Sequence, residues 1–178
     1  MDRFPIRSFA ALTLVLAITL SPGIVLASGT PGDAVDRLFA AYRSASVGQM
    51  ISSYTSDAVF EDVNQRHHFQ GTEQLALLLG GLVAMHHEMG LREKRRVVFG
   101  DTVVVEYEYV GVLNGEALGQ SIGKQGCPDL DYKISTTSWY EVKDGKIARQ
   151  RDFIDWATFL ELRQTMLAAA TDVVDQEK

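Results

Sequence analysis

The chain has 178 residues, 46% of them hydrophobic, with 17 basic side chains, 23 acidic ones and one cysteine. That length allows one domain of ordinary size, and this share of apolar residues can build a core without covalent staples. A net charge of −6 argues against binding a phosphate backbone, and the lone Cys127 excludes an internal disulfide.

The first 27 residues do not read as part of that domain. Arg3 and Arg7 flank the start of an uncharged apolar run, residues 9–20, and Val25-Leu26-Ala27 offers compact side chains where a signal peptidase reads. The run is too short for a stable membrane span. Residues 1–27 are therefore expected to be an export signal, leaving a periplasmic or secreted protein without a membrane contact. Mass spectrometry of protein recovered from the periplasm or medium should find a chain that starts at Ser28. Intact Met1 in a membrane fraction would show a retained anchor instead.

Thr30-Pro31-Gly32-Asp33 opens a helix, with a hydroxyl cap and Pro at the first helical position. Val35, Leu38, Phe39 and Tyr42 continue it as one apolar stripe. Residues 49–54 predict a short second helix, 58–62 (AVFED) a strand, and 67–69 another strand closed by Gly71. A third helix begins at Thr72, with Leu75, Leu78, Leu79, Leu82 and Val83 on one side. Strands follow at 91–99, 102–113, 133–142 and 146–155. In the longest, Val103, Val105, Tyr107 and Tyr109 face one way, and Glu106 and Glu108 the other. Residues 114–132, with glycines at 115, 119, 123 and 126, predict a mobile flap near a cavity mouth. A final helix starts at Trp156, and 172–178 reads as an acidic tail.

Helices followed by mostly antiparallel strands imply an α+β domain in which helices cover one face of a curved sheet, leaving a conical cavity. The junction of the last strand and last helix holds two carboxylates, Asp152 and Asp155. Asp155 can cap the helix. Asp152 then has no structural task, because Arg149 and Arg151 alternate onto the opposite face of the strand. The pairs His67-His68 and His86-His87 do not make a metal site, since adjacent residues of a strand point to opposite faces. One histidine of either pair facing the pocket as a proton shuttle stays open. The Arg-rich run at 92–96 reads as a solvated strand face. Cys127, between Gly126 and Pro128, reads as a loop thiol without a nucleophile signature.

The segments VDRLFAAY, YTSDAVFED, GTEQL, GVLNGEALG and DGKIARQRDFIDWATFL, in this order and spacing, resemble the SnoaL-like branch of the nuclear transport factor two-like superfamily across residues 28–171. The resemblance implies a cone-shaped α+β barrel whose mostly antiparallel sheet wraps three N-terminal helices around a hydrophobic pocket. It also implies pairing of two copies through the sheet. Members include polyketide cyclases, limonene epoxide hydrolases, ketosteroid isomerases and non-enzymatic binders, so fold alone does not fix function. Asp62 matches the isomerase base, and Asp152 the acid/base aspartate of cyclases and epoxide hydrolases. Tyr42, Tyr107, Tyr109, Ser138 and Tyr140 are the candidate substrate-binding residues; Tyr107 and Tyr109 read equally as self-satisfied wall residues, and Asp62 equally as a turn cap.

The departures from the family patterns are informative. The isomerase's oxyanion tyrosine corresponds to Leu38, and its second oxyanion acid falls near Ser138. The Arg and Asp of epoxide hydrolases correspond to Tyr109 and Gly111. The cyclase comparison survives best. The reading is a cofactor-independent acid/base enzyme acting on a small hydrophobic carbonyl or polycyclic compound, with Asp152 and Asp62 catalytic. The alternative is a non-catalytic binder of a small hydrophobic ligand, or a dimeric accessory module.

Overall fold

The computed structural model describes residues 29–172; the expected export signal and the tail beyond Asp172 lie outside the described residues. The first helix, α1 (Pro31–Arg43), starts as its sequence dictates, with the Asp33 carboxylate accepting the Thr30 backbone N–H. Its stripe of Val35, Leu38, Phe39 and Tyr42 is buried. Helix α2 (Val47–Ser52) is capped by Ser46, and α3 (Gly71–Ala84) buries Leu75 and Leu79. Helices α4 (Gly115–Ser121) and α5 (Trp156–Ala169) complete the set.

The strands are β1 (Tyr54–Asp62), β2 (His67–Gln70), β3 (His86–Phe99), β4 (Thr102–Leu113), β5 (Lys124–Gln125), β6 (Leu130–Lys143), β7 (Lys146–Ile154) and β8 (Thr171–Asp172). Six of them form a curved sheet in the order β2-β1-β7-β6-β4-β3, with β1 and β7 parallel and every other neighbour antiparallel. β5 and β8 pair separately, so Asp172, the expected start of the tail, lies opposite Lys124. The main core sits between the sheet and α1 to α3. A second cluster of Leu113, Tyr132, Ile134 and Met166 lies where α5 covers β6. The fold is the expected α+β cone.

Three element boundaries differ from expectation. Tyr54 opens β1 instead of ending α2, because it pairs with Ile147 and its hydroxyl binds Gln150. β3 begins at His86, five residues before the expected Leu91; β4 supplies a ladder for the polar HHEMG stretch that periodicity does not reveal. Gly111 of β4 faces the irregularity this creates, since a Cβ there would lie 2.0 Å from the Glu88 carbonyl oxygen.

The expected flap at 114–132 is instead a packed element. Asn114 caps α4 by accepting the Ala117 N–H at 2.9 Å, and Asp129 accepts the Gly115 N–H at 2.8 Å. A Cβ on Gly115 would sit 2.3 Å from the Cys127 carbonyl oxygen, and one on Gly119 would sit 3.0 Å from the Cys127 Sγ. These glycines permit close packing of two chain segments, and the half-buried thiol is part of that contact. Hydrogen exchange should therefore find the amides of α4 that bond within the helix protected, with 126–129 exchanging faster. Uniformly fast exchange across 114–132 would restore the flap.

Candidate functional site

The parallel pairing of β1 and β7 sets Asp62 beside Asp152, and the antiparallel pairing of β7 and β6 sets Asp152 beside Ser138. Strand alternation turns Asp152 and Gln150 inward, while Arg149 and Arg151 point outward onto Glu61 at 2.8 and 3.2 Å. Asp155 caps α5 by accepting the Thr158 N–H at 3.2 Å. Asp152 is thus fully buried and out of reach of any arginine on its own strand.

Its two oxygens are treated differently. Oδ1 accepts from the Ser138 hydroxyl at 2.5 Å and from Gln150 Nε2 at 2.8 Å. Both donors are themselves held: Ser138 by the Tyr107 hydroxyl at 2.8 Å, and Gln150 by the Tyr54 hydroxyl at 2.5 Å. Oδ2 is buried with no hydrogen-bond partner among the described residues. Burial pushes the Asp152 carboxyl up to about 7, against the two hydrogen bonds that favour its charged form, with neighbouring Asp62 adding a further upward push. Burial also raises the phenols of Tyr42, Tyr54, Tyr107, Tyr109 and Tyr140, keeping them protonated donors.

Asp62, 5% exposed, accepts from the Trp156 indole at 3.2 Å and from the Gln65 N–H at 3.1 Å. It therefore closes the β1–β2 turn and lines the cavity at once. That cavity measures about 440 Å³ and is walled by apolar side chains such as Phe60, Leu78, Leu82, Met89, Ile134 and Phe159. Asp62, Asp152, Tyr42 and Tyr109 all reach it. Tyr107, Ser138 and Tyr140 are not on its wall; they are fully buried, and Tyr107 and Ser138 form the chain that ends on Asp152. His67, His86, Tyr132 and Trp156 also line the cavity. The sequence offered Trp156 only as a helix start and Tyr132 only as a loop end. The partners His68 and His87 instead approach Glu61 and Asp129 on the surface. Among the described residues no cluster of three or more His, Cys, Asp or Glu side chains could hold a metal ion.

The chain belongs to the SnoaL-like domain family, whose sequence profile matches residues 35–150. No curated protein matches it significantly in sequence. Among solved structures, a protein provisionally named a SnoaL-like polyketide cyclase from Shewanella denitrificans OS-217 is similar at TM-score 0.66 and 18% identity, over 76% of this chain and 97% of that one. A protein of ketosteroid isomerase-like fold from Catenulispora acidiphila DSM 44928, in complex with trimethylamine, follows at TM-score 0.61 and 17% identity, over 75% and 93%. TerC, co-crystallised with polyporic acid, is similar at TM-score 0.61 and 16% identity, over 75% and 98%. At these identities the likeness establishes the fold.

Proposed function

We propose that this protein is a cofactor-independent acid/base enzyme acting on a small hydrophobic carbonyl or polycyclic compound. The observation that carries the reading is Asp152: a carboxyl on the wall of an apolar cavity, with one oxygen anchored and the other free. A group titrating near 7 is present in both forms at neutral pH, the condition in which one carboxyl serves as base and then as acid. Asp152 Oδ2 would take a proton from the carbon beside a carbonyl, giving an enolate and a neutral carboxylic acid. Return of that proton to carbon, or addition of the enolate to a second carbonyl of the same molecule, would complete an isomerisation or a cyclisation. Asp62, held by Trp156, would order a water or the substrate oxygen. The family's association with polyketide cyclase and isomerase activity supports this class, and the TerC complex supports a small organic occupant.

The test is exchange of the α-protons of 1-tetralone and 2-tetralone in deuterated buffer, followed by proton NMR from pH 5 to 9. Protein-dependent exchange with an inflection near 7 is expected. Ligand binding without exchange across the panel would favour the binder instead. One observation favours that second reading: Leu38, where isomerases carry an oxyanion tyrosine, is fully buried in the core and offers no donor. The proposal includes export, by removal of residues 1–27, and a homodimer through the outer sheet face. Exposed Val97, Trp139 and Phe153 support the dimer, and light scattering measures it.

A further inference from the structure

The acid pair occupies one end of the cavity, and a different polar group reaches it from the other side of the sheet. His86 lies on β3, the sheet edge three strands from β7. Its neighbour on β4 is Leu113, eight residues beyond Val105, which shares a cross-strand row with Ser138 and Asp152. On a flat sheet that offset would amount to roughly 14 Å across and 26 Å along. Curvature brings both residues onto one cavity, at separated positions on its wall.

The chemistry of His86 is fixed by its surroundings. Its Nδ1 lies 2.5 Å from the Leu82 carbonyl oxygen. A carbonyl can only accept, so Nδ1 carries the hydrogen and Nε2 carries the lone pair. Among the described residues nothing hydrogen-bonds Nε2, and the ring is held against Tyr132 with centroids 5.0 Å apart. Burial lowers the imidazole pKa, favouring the neutral ring. Whatever meets Nε2 must therefore donate.

We propose that His86 Nε2 is the acceptor of a second polar subsite. The cavity then takes an elongated apolar molecule with a carbonyl at the Asp62–Asp152 end and a hydroxyl or phenol at the His86 end. The carbonyl end rests on the acid/base reading above; the hydroxyl end rests on His86 alone. The competing role for His86 is structural, ending α3 through Leu82. His86→Asn separates the two, because the asparagine amide can still donate to Leu82 but leaves nothing at Nε2. His86→Phe is the second variant, keeping the packing on Tyr132.

Dissociation constants measured by calorimetry on matched probes test this: 6-hydroxy-1-tetralone against 1-tetralone, and estrone against 3-deoxyestrone and estrone 3-methyl ether. The native protein should bind at least one hydroxylated member about tenfold more tightly than its relatives that cannot donate, the loss typical of an unsatisfied buried acceptor. In His86→Asn that preference should fall below about twofold, with the deoxy compounds bound as before and melting unchanged within about 2 °C. The proposal is overturned if no pair shows the preference, if it survives in both variants, or if the variants weaken every probe alike. Binding is read without turnover. A hydroxyl preference in a protein that exchanges no protons would thus sink the acid/base reading and leave this subsite standing.

Discussion

Asp152→Asn is expected to lower tetralone exchange by about 10²-fold or more, the usual share of a general acid/base, with the fold retained. The asparagine carbonyl can accept from Ser138 and Gln150 as Oδ1 does, and its amide replaces the oxygen that has no partner. The same variant should change how stability depends on pH. The folded-state pKa of Asp152 is about 7, above the ordinary 3.8 of an aspartate, so the native state binds the extra proton between those values. The stability this carboxyl contributes is therefore fully present below about pH 4, is lost as pH rises toward 7, and stays lost above. Asparagine mimics the protonated form at every pH. At pH 8 it should be more stable than the native protein by on the order of 2–4 kcal/mol, converging with it near pH 4. Urea titrations at the two pH values measure the difference. Equal stability at pH 8 together with undiminished exchange would remove Asp152 from the mechanism.

Gly111→Ala is expected to destabilise the domain by about 3 kcal/mol or more, among the larger effects of single substitutions. The added Cβ would lie 2.0 Å from the Glu88 oxygen and 2.7 Å from its carbonyl carbon, and a backbone cannot rotate away as a side chain can. The contact sits where β3 slips register against β4, so relief would disturb the longest pairing in the sheet. Gly80→Ala is the control. Nothing lies within 4 Å of its added Cβ, and in mid-helix it should be neutral or stabilising by about 0.5–1 kcal/mol. A melting temperature for Gly111→Ala within about 2 °C of the native value would disprove the constraint. The constraint also explains a family difference. The epoxide hydrolase aspartate expected at this position has no room on a strand built this way.

What the sequence disclosed followed from local rules. β4 announced itself by alternation, and Asp152 stood out because Asp155 had a cap to make and both arginines alternated away. What it concealed was set by distant partners. The glycines of α4 read as hinges because the backbone they admit, at Cys127, lies about a dozen residues further on. Alternation placed Tyr107, Ser138 and Tyr140 on the inner face, but an inner face has depth. Period-two patterning does not separate a side chain on the cavity wall from one packed beneath it. His86 was concealed for a related reason, since its strand is polar and holds its conformation only through β4.

The parallel pairing of β1 with β7 has a kinetic consequence. Asp62 and Asp152 are neighbours in space and 90 positions apart in the chain, joined through the first and last strands of the six-stranded sheet. Hairpins such as β3–β4 and β6–β7 close over short loops, whereas this pairing closes over most of the domain and bears the largest entropic cost of loop closure. The acid pair therefore assembles late, after the antiparallel strands have formed a surface for β1 to join. A folding intermediate can own most of the sheet and still lack the site, so recovery of activity should lag behind recovery of strand signal during refolding.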